Sequence, residues 1–126
     1  MWFRKPKARP PEHWTAPQIR FIGEQDGASE KDLKLSLIEL FRNYPALERA
    51  YLARVQYEDA DAIHVALCLA GPTDHNIERA AGQVFARTFR SDCHLDIFFL
   101  QSPSQEEELA QVCRPFFVAS RPSALP

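Results

Sequence analysis

The apolar positions along this chain change their period several times, and each change marks an element. Leu33, Leu37, Leu40, Phe41 and Tyr44 recur at i, i+4, i+7, i+8 and i+11, one apolar stripe on a helix. Ser29-Glu30-Lys31-Asp32 just before it reads as a capping box, a hydroxyl placed to accept from orphan amides with an acid three residues on. Asn43-Tyr44-Pro45 ends the helix, because proline disfavours helical backbone in the residue before it. Over residues 47–57 the period falls to two. Tyr51, Val55 and Tyr57, with small Ala53, point one way, and Leu52, Arg54 and Gln56 point the other. After the polar turn Glu58-Asp59-Ala60-Asp61, Ile63, Val65, Leu67 and Leu69 alternate with His64, Ala66, Cys68 and Ala70. These two strands predict an antiparallel hairpin.

Gly71-Pro72 breaks the second of them, and Thr73 or Asp74 can cap a helix over residues 75–90. Its stripe is Ile77, Ala81, Val84, Phe85 and Thr88/Phe89. Gly82 in mid-helix costs about 1 kcal/mol relative to alanine, so it points to close packing on a strand. Residues 95–100 form the last strand of the pattern. Ser104-Gln105-Glu106-Glu107 is a second capping box opening a short helix to about residue 112, and Pro115-Phe116-Phe117-Val118 is an apolar coda. Ile19-Arg20-Phe21-Ile22, ended by Gly23, is a short candidate first strand. The order β-α-β-β-α-β-α over residues 19–118 predicts a single small α+β domain with a ferredoxin-like (split βαβ) sheet and its helices on one face. The connection through residues 74–90 is expected to be a right-handed crossover between parallel strands. Without the first strand, a three-stranded sheet with helices on it remains.

The strict Ile63/Val65/Leu67/Leu69 row belongs under the helices. The other face then carries Leu52, Arg54 and Gln56, His64, Ala66 and Cys68, and Asp96, Phe98 and Leu100. That face is too apolar to stand bare in water and too polar for a deep core. Two covers fit it: the chain's own C-terminal helix with Phe116-Phe117, or a partner, either a second copy in a homodimer or another protein. Leu52, Arg54, His64, Asp96 and Phe98 are its candidate binding residues. Arg54, His64 and Asp96 also mark the place where a small ligand such as an amino acid would sit. Asp96, between Leu95 and Ile97, must reach solvent or a donor such as Arg54 or His64, because an unpaired buried carboxylate is costly.

Composition narrows the classes. With 126 residues, 45% apolar and 25% charged, the chain has the material for one globular core. A net charge of −2 favours no strongly charged partner and no nucleic acid. Residues 1–18 differ from the rest: Arg4, Lys5, Lys7 and Arg9 stand against Glu12 alone, among Pro6, Pro10, Pro11 and Pro17. They read as an extended basic tail. Trp2 and Phe3 beside those cations give at most weak peripheral membrane contact through residues 1–9. The prolines occupy the place of a signal peptide's apolar core. Cys68, Cys93 and Cys113 are odd in number and form no CxxC, which fits a reducing cytosol and no disulfides. The expected location is cytoplasmic, and residues 119–126 read as a flexible tail.

The sequence gives little purchase for catalysis. Asp92-Cys93-His94 with Asp96 is the cluster that most resembles a metal site, but adjacent side chains on a strand point to opposite faces and chelate one ion poorly. No metal is expected. His64, between apolar neighbours, reads as a structural histidine, and Cys68 as a small apolar residue. GxSxG, Walker and GxGxxG patterns are absent, as is the aromatic RNP pattern of RNA-binding domains. No cofactor and no catalytic residue are assigned. Glu106-Glu107-Glu108 reads as a solvated first helical turn. A non-catalytic binding or regulatory module is the expectation. An amino-acid sensor is the alternative, and an enzyme using Cys93 or a histidine is the least favoured.

Four short motifs bring in a family. Tyr44-Pro45 closes the first helix, Ala50-Tyr51-Leu52-Ala53 lies on the next strand, and Leu95-Asp96-Ile97 and Pro115-Phe116-Phe117 follow in order. Residues 33–118 thereby resemble the C-terminal domain of the bacterial enhanced serine sensitivity (SseB) family. Phe117 stands where that family's closing motif has tyrosine, so no hydroxyl is available there. The chain is also shorter than family members that carry a separate N-terminal domain. The resemblance implies a bacterial cytoplasmic protein linked to serine tolerance or regulation, with no catalytic residues to carry over. The motif residues themselves read as mainly structural.

Overall fold

The nine-residue strand β2 (Arg49–Tyr57) organises the sheet by using both of its edges. In the computed structural model, which describes residues 19–58, 62–89 and 93–119, β3 (His64–Ala70) lies antiparallel along one edge. The other edge is shared end to end: β1 (Ile19–Glu24) pairs with residues 53–57, and the two-residue β5 (Phe117–Val118) pairs with Arg49 and Ala50. β4 (Asp96–Phe99) runs parallel to β3, joined to it through helix α2 (His75–Thr88). Helix α1 (Ala28–Phe41) links β1 to β2, and α3 (Pro103–Ala110) links β4 to β5.

The α+β class read from the pattern holds, and Ile19–Glu24 is a strand. The sheet order differs from the ferredoxin-like one. Strands run β1-β2-β3-β4, and the parallel pair β3/β4 are direct neighbours with no strand inserted between them. Hairpin β2-β3 fills one edge of β2 and β1 fills the other, so β2 occupies the centre and β1 an edge.

The helices are also not confined to one face. Leu33, Leu37 and Phe41 of α1 and Ile77, Ala81, Val84 and Phe85 of α2 pack with Leu52, Val65, Leu67 and Leu69. Leu109 of α3 packs on the opposite side with Tyr51, Ala53, Val55, Ala66 and Cys68. Phe116 and Phe117 join the α1/α2 side, their rings 6.4 and 5.5 Å from that of Phe41. The coda therefore does not cover the second face; α3 does. Ile63 lies outside β3 and is 45% exposed, so the buried row begins at Val65.

Helix starts follow local chemistry, with two shifts of register. Asp74 caps α2 as its sequence suggests, accepting from Asn76 N at 2.9 Å. The N-cap of α1 is Gly27, so Ser29 lies inside the helix and the expected box is not made. Glu30 is instead buried and accepts from Gln25 Nε2 at 2.7 Å. α3 is capped by Ser102, which accepts from Gln105 N at 3.2 Å, with Pro103 in the first turn where its missing N–H is harmless. That start places Ser104 and Glu106 within the helix. Gly71 has φ +143°, and a Cβ there would lie 2.9 Å from the Ala46 carbonyl oxygen. An L side chain at that corner meets both strain and collision.

No helix among the described residues is long and apolar enough to cross a membrane. The basic tail of residues 1–18, the C-terminal stretch after residue 119 and Asp92 of the Cys/His cluster lie outside the described residues.

Candidate functional site

Register decides which of the expected face residues meet. Residues directly opposite in a ladder share a face. Val55 faces His64, Ala53 faces Ala66, and Ala66 in turn faces Asp96, while Cys68 faces Tyr51 and Phe98. His64, Asp96 and Phe98 thus lie on the α3-bearing face, as expected. Leu52 pairs with Leu67 and Arg54 with Val65, which puts both on the α1/α2 face. Leu52 is wholly buried in that core, and Arg54 is exposed with its guanidinium over Gly23. The β2 row on the α3-bearing face is Tyr51, Ala53, Val55 and Tyr57. A small-ligand site built jointly by Arg54, His64 and Asp96 is therefore not assembled.

Asp96 is the polar centre of the α3-bearing face. It opens β4 and is only 5% exposed. Tyr57 Oη donates to Oδ2 at 2.7 Å, reaching diagonally past β3. His94 Nε2 lies 2.7 Å from Oδ1. Both carboxylate oxygens are engaged, and that removes the penalty of burying the charge unpaired. The donors are Tyr57 and His94, whereas the sequence pointed to Arg54 or His64. His64 instead packs its ring 5.3 Å from that of Tyr57.

A second polar cluster lies at the other end of β2 and was not foreseen. Glu106 of α3 receives Arg49 Nε at 2.5 Å, Arg49 Nη2 at 3.0 Å and Tyr51 Oη at 2.6 Å. The Glu106 side chain is 18% exposed, so this acid is not part of a solvated turn. Hydrogen bonding from Arg49, then from Tyr51, holds its carboxyl below the usual range despite partial burial. Burial first, and the bond to Glu106 second, push the Tyr51 phenol up to about 12. The Arg49 guanidinium is held more firmly protonated, chiefly by its bond to Glu106. No local pattern announces this cluster, because Arg49 and Glu106 belong to elements that meet only after folding.

The family-motif residues are structural in their contacts. Tyr44 and Pro45 lie in the turn after α1, where Tyr44 N bonds Phe41 O at 2.9 Å and Leu47 N bonds Tyr44 O at 3.0 Å. Ala50 pairs with Phe117 in the sheet, and its carbonyl accepts from Phe116 N at 2.9 Å just after Pro115. Cys68 and Cys113 are buried free thiols. Burial pushes the thiols of Cys68 and Cys113 up, that of Cys113 to about 12, which leaves both as apolar packing groups. Among the described residues, no group of three or more His, Cys, Asp or Glu side chains could hold a metal ion.

At the β4 edge of the sheet lies a groove of about 350 Å³, lined by Gly82, Phe85, Ala86 and Phe89 of α2 and by Cys93, His94 and Leu95. A Cβ on Gly82 would meet Ile97 Cδ1 at 3.9 Å, an ordinary contact, so this glycine widens the groove without being required by the packing.

The model of the SseB protein C-terminal domain matches residues 26–118, which run from just before α1 to the end of β5. The chain belongs to this family. Both polar clusters and the four motifs lie inside the matched span, whereas β1 of this SseB C-terminal domain precedes it. No curated protein and no solved structure matches the chain.

Proposed function

We propose that this SseB C-terminal domain is a non-catalytic binding and regulatory module of the bacterial cytoplasm, and that it docks a partner on the sheet face that carries α3. The observation behind this reading is the incomplete cover of that face. A helix is about 10 Å across and strands are spaced about 4.8 Å apart, so one helix shields roughly two strands of a sheet. α3 packs toward β1, and Leu109, with Cys113 just beyond the helix, is buried under it. Phe98, Leu100, Tyr57, Phe21 and Ile19 stay half-buried around it. A rim of aromatic and aliphatic side chains around a buried polar centre has the make-up of a protein-binding surface. The engagement of both Asp96 oxygens by Tyr57 and His94 supports a structural role for that carboxylate.

The test is affinity capture from the source cytoplasm with the wild-type chain and with Phe98→Asp, alongside their melting temperatures. A protein, or a second copy of the chain, that is captured by the wild type and lost with the still-folded variant supports the surface. Equal capture by both forms would move binding elsewhere.

A further inference from the structure

The part of the α3-bearing face that α3 leaves open is the end at which the chain enters the sheet. α3 is anchored at the start of β2, where Glu106 meets Arg49 and Tyr51, and Leu109 packs over the middle of that strand. Its eight residues span about 12 Å, against about 30 Å for the nine residues of β2, so the Tyr57 end lies outside its cover. At that end Tyr57 is paired with Ile19, its ring is 5.3 Å from that of His64, and its hydroxyl reaches Asp96. A row of side chains thus crosses the sheet from β1 to β4, and Ile19, Tyr57 and Phe98 in or beside it are only half-buried. We propose that residues 1–18 fold back on this end of their own domain, with Trp14 against Tyr57 and Phe98, and compete with a partner for the face. The inference rests on the docking surface proposed above and names what occupies it when no partner is bound.

Reach, side-chain chemistry and charge favour this occupant. Trp14 precedes Ile19 by five residues, a reach of up to about 17 Å. The three strand spacings from β1 to β4 come to about 14 Å, so the indole can reach Phe98. An indole on a rim of Tyr57 and Phe98 combines apolar burial with aromatic contact. The tail sets Arg4, Lys5, Lys7 and Arg9 against Glu12 alone while the whole chain carries −2, so the domain it is joined to is acidic. Exposed Glu58 follows β2 at the open end, and exposed Glu107 and Glu108 lie on α3. Tethering to Ile19 holds the tail at an effective concentration on the order of millimolar, enough for a weak contact to form within one chain. A partner then binds only the fraction of molecules in which the face is clear, and its apparent affinity falls by that fraction.

Trp2 and Trp14 are the two tryptophans of the chain, so fluorescence reads the tail directly. It is read on the chain without a partner and so stands or falls separately from the capture experiment. In the full chain carrying Trp2→Phe, Trp14 emission is expected to be blue-shifted, and its quenching by acrylamide several-fold slower, than in the same chain unfolded in urea. Phe98→Asp is expected to return both readings to the unfolded values with the circular dichroism unchanged. Leu35→Asp, at a 64% exposed position on α1, is expected to leave both as they were. A second readout does not need Phe98→Asp to fold: Trp14→Ser is expected to shift the amide resonances of Tyr57 and Phe98 and leave those of Leu33 and Leu37 in place. Emission that matches the unfolded chain, a blue shift that survives Phe98→Asp, or unmoved Tyr57 and Phe98 amides would each overturn the proposal. So would a blue shift that fades on dilution, which puts the tail on a second copy, or one that appears only with phosphatidylserine vesicles, which makes the tail a membrane contact.

Discussion

Glu106 on α3 and Arg49 on β2 meet through two nitrogen–oxygen contacts, at 2.5 and 3.0 Å, and Tyr51 donates to the same carboxylate at 2.6 Å. This is the polar attachment of α3 to the sheet, and Leu109 is its apolar one. Glu106→Gln is expected to lower stability by about 1 kcal/mol at neutral pH, a partly exposed pair contributing less than a dry one. The carboxyl is held below its ordinary value of 4.5 in the folded chain. Its contribution is therefore complete above about that pH and is lost as pH falls through the lower folded value. Urea titrations of both forms should show the wild-type advantage shrinking below pH 4.5. A difference constant down to the acid unfolding limit would contradict the pairing.

The alkaline side has the opposite sign. Tyr51 titrates at about 12 in the fold against 10.0 ordinarily, so the unfolded chain releases this proton first. The stability it contributes is intact below pH 10 and declines as pH rises toward 12. Tyr51→Phe should remove that part of the alkaline decline, leaving what Cys113 and Cys68 contribute, as read by melting temperatures across the range.

Much of this fold was legible because the apolar periods are clean. The α1 stripe Leu33, Leu37 and Phe41 and the α2 stripe Ile77, Ala81, Val84 and Phe85 are buried as their spacing predicts. So is the Val65, Leu67 and Leu69 row. What could not be read is which β2 row shares a face with which β3 row. That parity depends on hairpin register, and a shift of one residue exchanges the two faces. Leu52 and Arg54 were misplaced for that reason alone, while His64, Asp96 and Phe98, tied to one another by the β3/β4 pairing, stayed together. The partners of Asp96 and Glu106 were hidden more deeply, since Tyr57 and Arg49 reach them only through tertiary structure.

Two glycines, Gly71 at the end of β3 and Gly82 inside α2, should respond oppositely. Gly71→Ala forces an L residue to φ +143° with a Cβ 2.9 Å from Ala46 O, and a loss of about 1–3 kcal/mol is expected. Gly82→Ala meets only Ile97 at 3.9 Å in mid-helix, and a gain of about 0.5–1 kcal/mol is expected. Chemical denaturation of both variants checks the signs, and a stabilised Gly71→Ala would contradict the strained corner.

Tyr57→Phe leaves Asp96 Oδ2 without its phenol donor in a nearly buried position. The expected loss is about 1–3 kcal/mol, with the sheet otherwise unchanged. A loss within the scatter of a surface substitution would mean that the carboxylate finds water or another donor.

The claim that the α3-bearing face is the docking surface is tested most directly by hydrogen–deuterium exchange of the SseB domain alone and bound to the partner it captures. Slowed exchange in β4, α3 and β1 on binding, with α1 and α2 unaffected, is the predicted result. Protection confined to α1 and α2 would place the partner on the opposite side of the sheet and contradict the account.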